Sequence, residues 1–215
     1  IDVNASSPKI IFTTPSHQYP LGYVMSIERR KKLLDFAKKN QCLIIEDDYD
    51  SEYRFGGNQI PSMQGMEKDS PVIYLGTFSK TLFPGIRIGY MVLPSGLVES
   101  FSSLQLEIYR KGRAIEYTAL GEFIQNGHYT KHIRKMRVVY SKRRDLIINL
   151  IVRYMGEKYL LSHDHNVGLH FVINIPTKFD DVALSVTLAS EGLYSKALSQ
   201  YYHGANKLNG LIVGY

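Results

Sequence analysis

Apolar runs separated by polar turns divide the chain into alternating strand-like and helical segments. A short run from Lys9 to Thr13 predicts a strand, and Ser26 is placed to cap a helix that runs to about Asn40. The apolar residues Leu43-Ile44-Ile45 predict a second strand, and this order indicates a βαβ unit with a parallel sheet. The helix pattern predicts a buried side of Leu33, Leu34, Phe36 and Ala37, and an exposed side of Arg29, Arg30, Lys31, Lys38 and Lys39.

Two further strand-like runs follow, and then a series of helices. The runs Val72 to Leu75 and Ile88 to Leu93 are predicted to be buried strands on either side of a Pro84-Gly85 turn. Helical patterns follow at 95–105, 114–125 and 128–155. The last of them has a strongly basic face that contains Lys131, Arg134, Lys135, Arg137, Lys142, Arg143 and Arg144.

The C-terminal part has a different character from the rest. It contains a strand at 168–173, a helix at 181–191 and a last strand at 211–213. We therefore predict an α/β fold, mainly a parallel sheet with flanking helices, followed from about His128 by a smaller α+β domain.

The second strand ends in an acidic cluster, Glu46-Asp47-Asp48-Tyr49-Asp50. Ligands of parallel α/β sheets bind at the carboxyl ends of strands, so binding residues are expected here. Side chains alternate along an extended chain, which predicts Asp47 and Tyr49 on one side and Asp48 and Asp50 on the other. A carboxylate can hold a pyridine nitrogen protonated, and a phenol on the same side can form a hydrogen bond with an oxygen attached to the ring. A solvated acidic turn is the alternative.

The third strand leads into a turn that carries one lysine and one arginine. Lys80 and Arg87 bracket the Pro84-Gly85 turn, and Thr77 and Ser79 precede the lysine. A desolvated lysine can form a Schiff base with a carbonyl cofactor. An arginine can bind a phosphate through two hydrogen bonds, and neighbouring hydroxyls can add more. Pyridoxal phosphate presents an aldehyde and a phosphate together, so these residues are suited to bind it. The alternative is that Ser79 and Lys80 are simply exposed to solvent.

The composition excludes several classes of protein. The hydrophobic fraction of 44% supports a real core, and the single cysteine, Cys42, excludes a disulfide framework and a cysteine-rich zinc site. No apolar stretch approaches the roughly 20 residues of a membrane span. The net charge of +6 is compatible with a nucleic-acid partner or a phosphorylated ligand. No metal site is expected, because His163, His165 and His170 lack metal-ligand spacing.

The order of these residues resembles the aminotransferase-like domain of the MocR family, in which a GntR-type winged-helix domain is joined to a fold-type-I pyridoxal-phosphate domain. The matching motifs run across nearly the whole chain: Thr14-Pro-Ser-His-Gln-Tyr-Pro20, Glu46-Asp-Asp-Tyr-Asp-Ser-Glu-Tyr53, Gly76-Thr-Phe-Ser-Lys80, Pro84-Gly-Ile-Arg87, Gly127-His-Tyr-Thr-Lys-His-Ile-Arg-Lys-Met136, Gly168-Leu-His-Phe171 and Gly210-Leu-Ile-Val-Gly214. The block at 76–87 is specific for the fold, and the first two motifs are specific for the regulators.

The resemblance implies a role for each candidate residue. Lys80 matches the lysine that forms the Schiff base and is the catalytic residue of the enzymes. Asp47 matches the partner of the pyridine nitrogen, and Tyr49 the hydroxyl near the ring oxygen. The phosphate contacts are matched by Thr77, Ser79 and Arg87. The resemblance also implies that residues 1–127 are the second half of the cofactor-binding large domain and that 128–215 are an incomplete small C-terminal domain.

Two departures from the enzymes bear on the substrate. Aminotransferases carry Asn-Pro-Thr-Gly where this chain has Tyr19-Pro20-Leu21-Gly22, so the asparagine that contacts the ring oxygen is missing. The arginine that binds the α-carboxylate of an amino acid is expected where this chain reads Asn206-Lys207-Leu208-Asn209-Gly210. Lys207 offers a positive charge there, but no bidentate fork.

These observations predict the effector-sensing domain of a MocR/GntR-type transcriptional regulator, which binds pyridoxal phosphate on Lys80 and an amine or amino-acid-like effector. A catalytically active pyridoxal-phosphate-dependent aminotransferase is the alternative, with Lys80 also moving a proton. A cofactor-free module whose basic helix contacts DNA or a partner is a third reading, disfavoured by the order of the site residues. By resemblance, we expect a cytoplasmic homodimer that contacts DNA only through an N-terminal winged-helix domain outside this sequence, and no membrane.

Overall fold

The structure is a computed structural model that describes residues 8–58, 60–110, 112–161, 166–204 and 206–215. The chain divides into two units. The first unit comprises Ile1–Ser16, Met25–Tyr49 and Gln59–Met136, and the second comprises His17–Val24, Asp50–Asn58 and Arg137–Tyr215. Each unit is therefore assembled from segments that are far apart in sequence.

The first unit contains a four-stranded sheet of mainly parallel strands. Its strands are adjacent in chain order, namely β1 (Ile10–Thr13), β2 (Leu43–Asp48), β3 (Val72–Thr77) and β4 (Gly89–Val92). The pairs β1–β2 and β2–β3 are parallel, and β3–β4 is antiparallel. The predicted βαβ unit is confirmed.

In the described part of the chain, five helices alternate with or follow these strands, and the last of them continues from the first unit into the second. They are α1 (Ile27–Lys39), α2 (Met63–Met66), α3 (Val98–Tyr109), α4 (Ala114–Gln125) and α5 (His128–Tyr154). The predicted cap is confirmed, because the Ser26 hydroxyl accepts a hydrogen bond from the Arg29 backbone N–H. The short helix α2 was not predicted. The core of this unit consists of Leu34, Ala37, Cys42, Ile44, Met63 and Val72.

Two expectations about burial in the first unit were wrong. Strand β4 was predicted to be buried, yet all four of its residues are exposed. Arg30 was predicted on the exposed side of α1, yet its side chain is fully buried. Its guanidinium donates to the carbonyls of Met25, Pro61 and Pro15. A buried charge is tolerated because these acceptors satisfy its donors.

The second unit is an antiparallel sheet with one helix between its strands. Its elements are β5 (His170–Asn174), α6 (Asp181–Ser190), β6 (Lys196–Ala197) and β7 (Gly210–Gly214), and the strand order is β5-β7-β6. Val172, Leu198 and Ile212 form its buried apolar cluster. Arg144, predicted on the exposed face of α5, is buried with its guanidinium carbon 4.8 Å from the centre of the Phe55 ring.

Candidate functional site

The candidate site lies at one edge of the four-stranded sheet. Strands β2 and β3 are parallel and in register, with Asp47 opposite Leu75, so their carboxyl ends meet at this edge. Strand β4 begins at the same edge, because Gly89 is paired with Thr77 in the antiparallel ladder. The structure therefore brings the ends of three strands together, each with a predicted site residue on it or next to it.

The acidic cluster at the end of β2 alternates in burial as the sequence predicted. Asp48 and Asp50 are buried, whereas Asp47 and Tyr49 are half-buried. Asp48 accepts hydrogen bonds from the Tyr74 hydroxyl at 3.0 Å and the Ser16 hydroxyl at 3.4 Å. Burial, followed by the negative charge of Asp48, raises the pKa of the Tyr74 phenol. Asp48 is therefore engaged within the fold, and Asp47 faces the opposite side.

The turn after β3 carries Lys80. Thr77 Oγ1 accepts the Ser79 backbone N–H at 3.1 Å, and the Leu82 N–H reaches the Phe78 carbonyl at 2.9 Å. These two bonds make a compact turn directly after the strand. Lys80 is exposed on this turn, so the described residues do not themselves desolvate its amine. A Schiff-base lysine was expected to be desolvated, and the exposed Lys80 does not meet this expectation among the described residues.

The Lys80 turn is anchored from helix α5. His132 Nε2 lies 3.0 Å from the Thr81 carbonyl oxygen, which accepts the hydrogen bond. The Tyr129 ring packs edge-on against Phe78, with ring centroids 5.6 Å apart. Both contacts were missed from sequence. The spacing of residues in the Gly127–Met136 motif does not reveal which turn the motif supports.

Arg87 ends the connection between β3 and β4. It follows a single 3₁₀ turn, Pro84–Ile86, and its φ of 49° is in the left-handed region. The base of the connection is closed by a hydrogen bond of 3.0 Å from the Phe78 N–H to the Ile88 carbonyl. Arg87 is exposed, and it lies at the same edge of the sheet as Lys80.

The chemistry of these groups fits pyridoxal phosphate. A carboxylate at Asp47 suits a protonated pyridine nitrogen, and the amine of Lys80 suits an aldehyde. The guanidinium of Arg87 and the hydroxyls of Thr77 and Ser79 suit a phosphate. All of them belong to one unit and to one edge of its sheet.

The second unit contains a buried polar cluster that the sequence did not predict. His17 Nδ1 and Asp50 Oδ2 are 2.9 Å apart, and the His170 ring lies 4.6 Å from the His17 ring between centroids. Gly168 has a φ of 80°, and a Cβ built there would lie 1.9 Å from His17 Cε1. The close packing of His17 therefore requires glycine at 168. His163 and His165 lie outside the described residues.

In the segment before β7, Asn209 has a structural role. Asn209 Nδ2 lies within hydrogen-bonding distance of the carbonyls of Ile175 at 3.2 Å, Pro176 at 3.3 Å and Phe179 at 2.8 Å. Lys207 is exposed. The only cation of 206–210 is therefore a flexible lysine on the surface.

Comparison with known proteins gives the family of this chain. The family described as aminotransferase class I and II matches residues 3–201. The chain belongs to this family. It is 36% identical over 214 residues to the probable rhizopine catabolism regulatory protein MocR of Rhizobium meliloti. The aligned region covers 100% of this chain and 43% of that protein. It is 37% identical over 207 residues to the uncharacterized HTH-type transcriptional regulator YdeL of Bacillus subtilis, covering 95% of this chain and 44% of that one.

A solved structure supports the same family membership. The Pyrococcus horikoshii kynurenine aminotransferase, in complex with PMP, has a TM-score of 0.82 and 27% identity, with 96% of this chain and 51% of that chain covered. The resemblance to MocR-type regulators and the fold-type-I aminotransferase fold are thus confirmed. This member of the class I and II aminotransferase family spans less than half the length of the two regulators it matches. Among the described residues, none of the helices combines the length and apolar content needed to cross a bilayer.

Proposed function

We propose that this chain is the effector-sensing, aminotransferase-like domain of a MocR/GntR-type transcriptional regulator that binds pyridoxal phosphate through Lys80. The proposal is supported by the register of β2, β3 and β4, which puts the strand ends that carry or adjoin Asp47, Lys80 and Arg87 at one edge of the sheet. The regulator relatives, matched over nearly the whole chain, support a regulatory rather than a purely metabolic role.

Each predicted residue has a distinct task in this proposal. The Lys80 amine holds the cofactor covalently, and Asp47 and Tyr49 orient the ring through its nitrogen and its oxygen. Thr77, Ser79 and Arg87 bind the phosphate. When bound, pyridoxal phosphate supplies a carbonyl that reacts with primary amines and a ring that withdraws electrons.

The choice of effector follows from this chemistry and from the residue types at 206–210. A primary amine or amino-acid-like molecule fits, because the cofactor carbonyl reacts with amines. An α-carboxylate meets no arginine fork in the 206–210 segment, where Asn209 is engaged with three carbonyls. We therefore favour an amine effector that does not depend on bidentate recognition of an α-carboxylate.

A regulatory function implies two partners, a second copy of the chain and DNA. The full-length protein would act as a homodimer and contact DNA through an N-terminal winged-helix domain. The exposed basic residues of α5, namely Lys131, Arg134, Lys135, Lys142 and Arg143, would remain in solvent, since no groove-reading motif accompanies them.

A catalytically active aminotransferase is the second candidate. It is favoured by the likeness to the kynurenine aminotransferase, which is 27% identical and was solved with KYN as substrates and KYA as products. In that reading Lys80 also moves a proton at the substrate carbon.

The test uses the full-length protein and its Lys80→Ala variant. Addition of pyridoxal phosphate should produce the visible absorbance of the lysine-bound cofactor, and Lys80→Ala should abolish it. Lys131→Ala, which removes another exposed lysine, should leave the absorbance intact. Equal absorbance in Lys80→Ala and the unaltered protein would overturn the proposal.

A second measurement separates the two candidate functions. A panel of amines and amino acids is added to the cofactor-bound protein, and both DNA binding and keto-acid formation are followed. A regulator changes its DNA affinity without sustained keto-acid production. Steady production over many turnovers would instead establish the enzyme.

A further inference from the structure

Arg113 contacts the backbone of the turn that carries Arg87. Its Nη2 donates to the Ile86 carbonyl at 2.7 Å, and its Nη1 donates to the Arg87 carbonyl at 3.0 Å. Arg113 lies at the start of α4, in the connection that follows α3, so a distant part of the chain supports this turn. No sequence motif pointed to Arg113.

The turn at Arg87 requires such support. Arg87 adopts a φ of 49°, a conformation that a residue with a Cβ adopts only at a cost. The carbonyls of Ile86 and Arg87 stand at the end of the Pro84–Ile86 helical turn, where no further turn follows to donate to them. The two N–H groups of Arg113 satisfy both carbonyls while the turn holds its shape.

Arg113 is itself held in place. Its Nε is 3.4 Å from Glu116 Oε1, and its carbonyl accepts the Tyr117 N–H at 3.1 Å. The Nε of the planar guanidinium thus faces a carboxylate, and its Nη1 and Nη2 donate to the two carbonyls. A lysine has no equivalent of this rigid fork.

We propose that Arg113 is a positioning residue for Arg87, and that it fixes the backbone from which the Arg87 side chain reaches the phosphate of the cofactor. This inference rests on the proposed function, in which Arg87 is a phosphate contact. Arg113 touches no reacting group in this arrangement; it acts only through the geometry of the Arg87 turn.

A general loss of stability would weaken the binding of both ligands, whereas loss of the Arg113 support weakens only the binding of the phosphate. Arg113 affects the affinity for the phosphate of the ligand and leaves the affinity for the ring and the aldehyde unchanged. Pyridoxal differs from pyridoxal phosphate only in lacking that phosphate. A change in the ratio of the two dissociation constants between variants therefore reports on the phosphate contact.

The experiment measures both dissociation constants by the visible absorbance of the lysine-bound ligand, in the full-length protein. Arg113→Ala should raise the dissociation constant for pyridoxal phosphate about five- to tenfold, the loss expected for a displaced charge-assisted contact. It should change the constant for pyridoxal less than about twofold. Arg113→Lys should not restore the lost affinity. Arg110→Ala, a control at an exposed arginine of the same connection, should leave both constants unchanged.

A second comparison asks whether Arg113 acts through Arg87. If it does, Arg87→Ala and the double variant Arg87→Ala/Arg113→Ala should bind pyridoxal phosphate equally weakly. Additive losses would overturn the inference, as would equal weakening of both ligands by Arg113→Ala. Failure of the unaltered protein to bind either ligand is a distinguishable result, because it would overturn the proposed function and this inference with it.

Discussion

Arg30 and Glu46 form an ion pair inside the first unit, with Nη1 and Oε1 3.6 Å apart and both side chains fully buried. Glu46 also accepts the backbone N–H groups of Met63 and Gln64, each at 3.0 Å. The pair thus links α1, β2 and the start of α2 on the strand that carries Asp47. Burial raises the pKa of Glu46, and these N–H donors and Arg30 act in the opposite direction.

We expect Arg30→Met to be strongly destabilising. It leaves the Glu46 carboxylate buried without its cation, a change that typically costs about 3–5 kcal/mol. Urea unfolding at neutral pH measures this loss. Arg29→Met, at an exposed neighbouring position, should change the free energy of unfolding by less than about 0.5 kcal/mol. Similar values for the two variants would show that the buried pair does not stabilise the fold.

We expect the Thr77 hydroxyl to contribute to cofactor affinity, both through the shape of the Lys80 turn and as the phosphate contact proposed above. Thr77→Val removes the acceptor of the Ser79 N–H, whereas Thr77→Ser keeps it. The valine variant should raise the dissociation constant for pyridoxal phosphate about fivefold, the value of one hydrogen bond. The serine variant should bind nearly as tightly as the unaltered protein. Equal affinities of the valine and serine variants would contradict this role.

Gly168 should tolerate no side chain, for a reason beyond its backbone conformation. Alanine there would place its Cβ 1.9 Å from His17 Cε1 and 2.8 Å from Asp50 Oδ2. We expect Gly168→Ala to cost about 3 kcal/mol, the sum of left-handed strain and overpacking.

Gly192 provides the matched control for Gly168. It has nearly the same φ, 82°, but a Cβ built there meets no atom within 4 Å. Gly192→Ala should therefore cost only the strain, about 1–2 kcal/mol. Thermal unfolding of both variants compares the two. Equal losses would mean that the packing against His17 relaxes at no cost.

Asp181 should make the second unit sensitive to acid. Its buried carboxylate accepts the Gly210 N–H at 3.0 Å, the Ser199 N–H at 2.9 Å and the Ser199 hydroxyl at 2.6 Å. Burial opposes the charged form, but these donors outweigh it and lower the pKa of Asp181 below its ordinary value. The stabilisation is therefore complete above that ordinary value, about 3.9, and is lost as pH falls through the lower folded-state pKa.

The Asp181→Asn variant tests this expectation. An amide offers one acceptor oxygen where the carboxylate offers two, so the variant should lose about 2 kcal/mol at pH 7. The difference from the unaltered protein should shrink as the pH falls below about 4. Glu191→Gln, at the exposed end of α6, should show no such pH dependence. A difference that stays constant down to pH 3 would contradict a lowered pKa at Asp181.

Local signals predicted most of the helices, although α2 was missed and α3 (Val98–Tyr109) is displaced by three to four residues from the predicted 95–105. Helix α4 runs from Ala114 to Gln125 as expected, and α1 ends one residue before the predicted end. Apolar periodicity and capping residues are properties of neighbouring positions, so they can be read directly from the chain. The alternation along β2 was predictable for the same reason, because adjacent side chains of a strand point to opposite faces.

The contacts of buried Arg30 and half-buried Arg113 could not be predicted in this way. Arg30 reaches carbonyls at Pro15 and Pro61, and Arg113 reaches carbonyls at Ile86 and Arg87. An arginine between other charged residues is normally exposed. Whether one is buried depends on acceptors from distant segments, and those acceptors are not visible in its own neighbourhood.

From its sequence alone, this chain is determined to be an α/β protein with a lysine and an arginine around the turn after its third strand, because periodicity and turn chemistry are local. Tertiary structure decided which charges are buried, that β4 is exposed, and that Arg113 supports the Arg87 turn. The physical reason is that a buried charge or a strained turn persists only where remote parts of the chain supply matching hydrogen-bond partners.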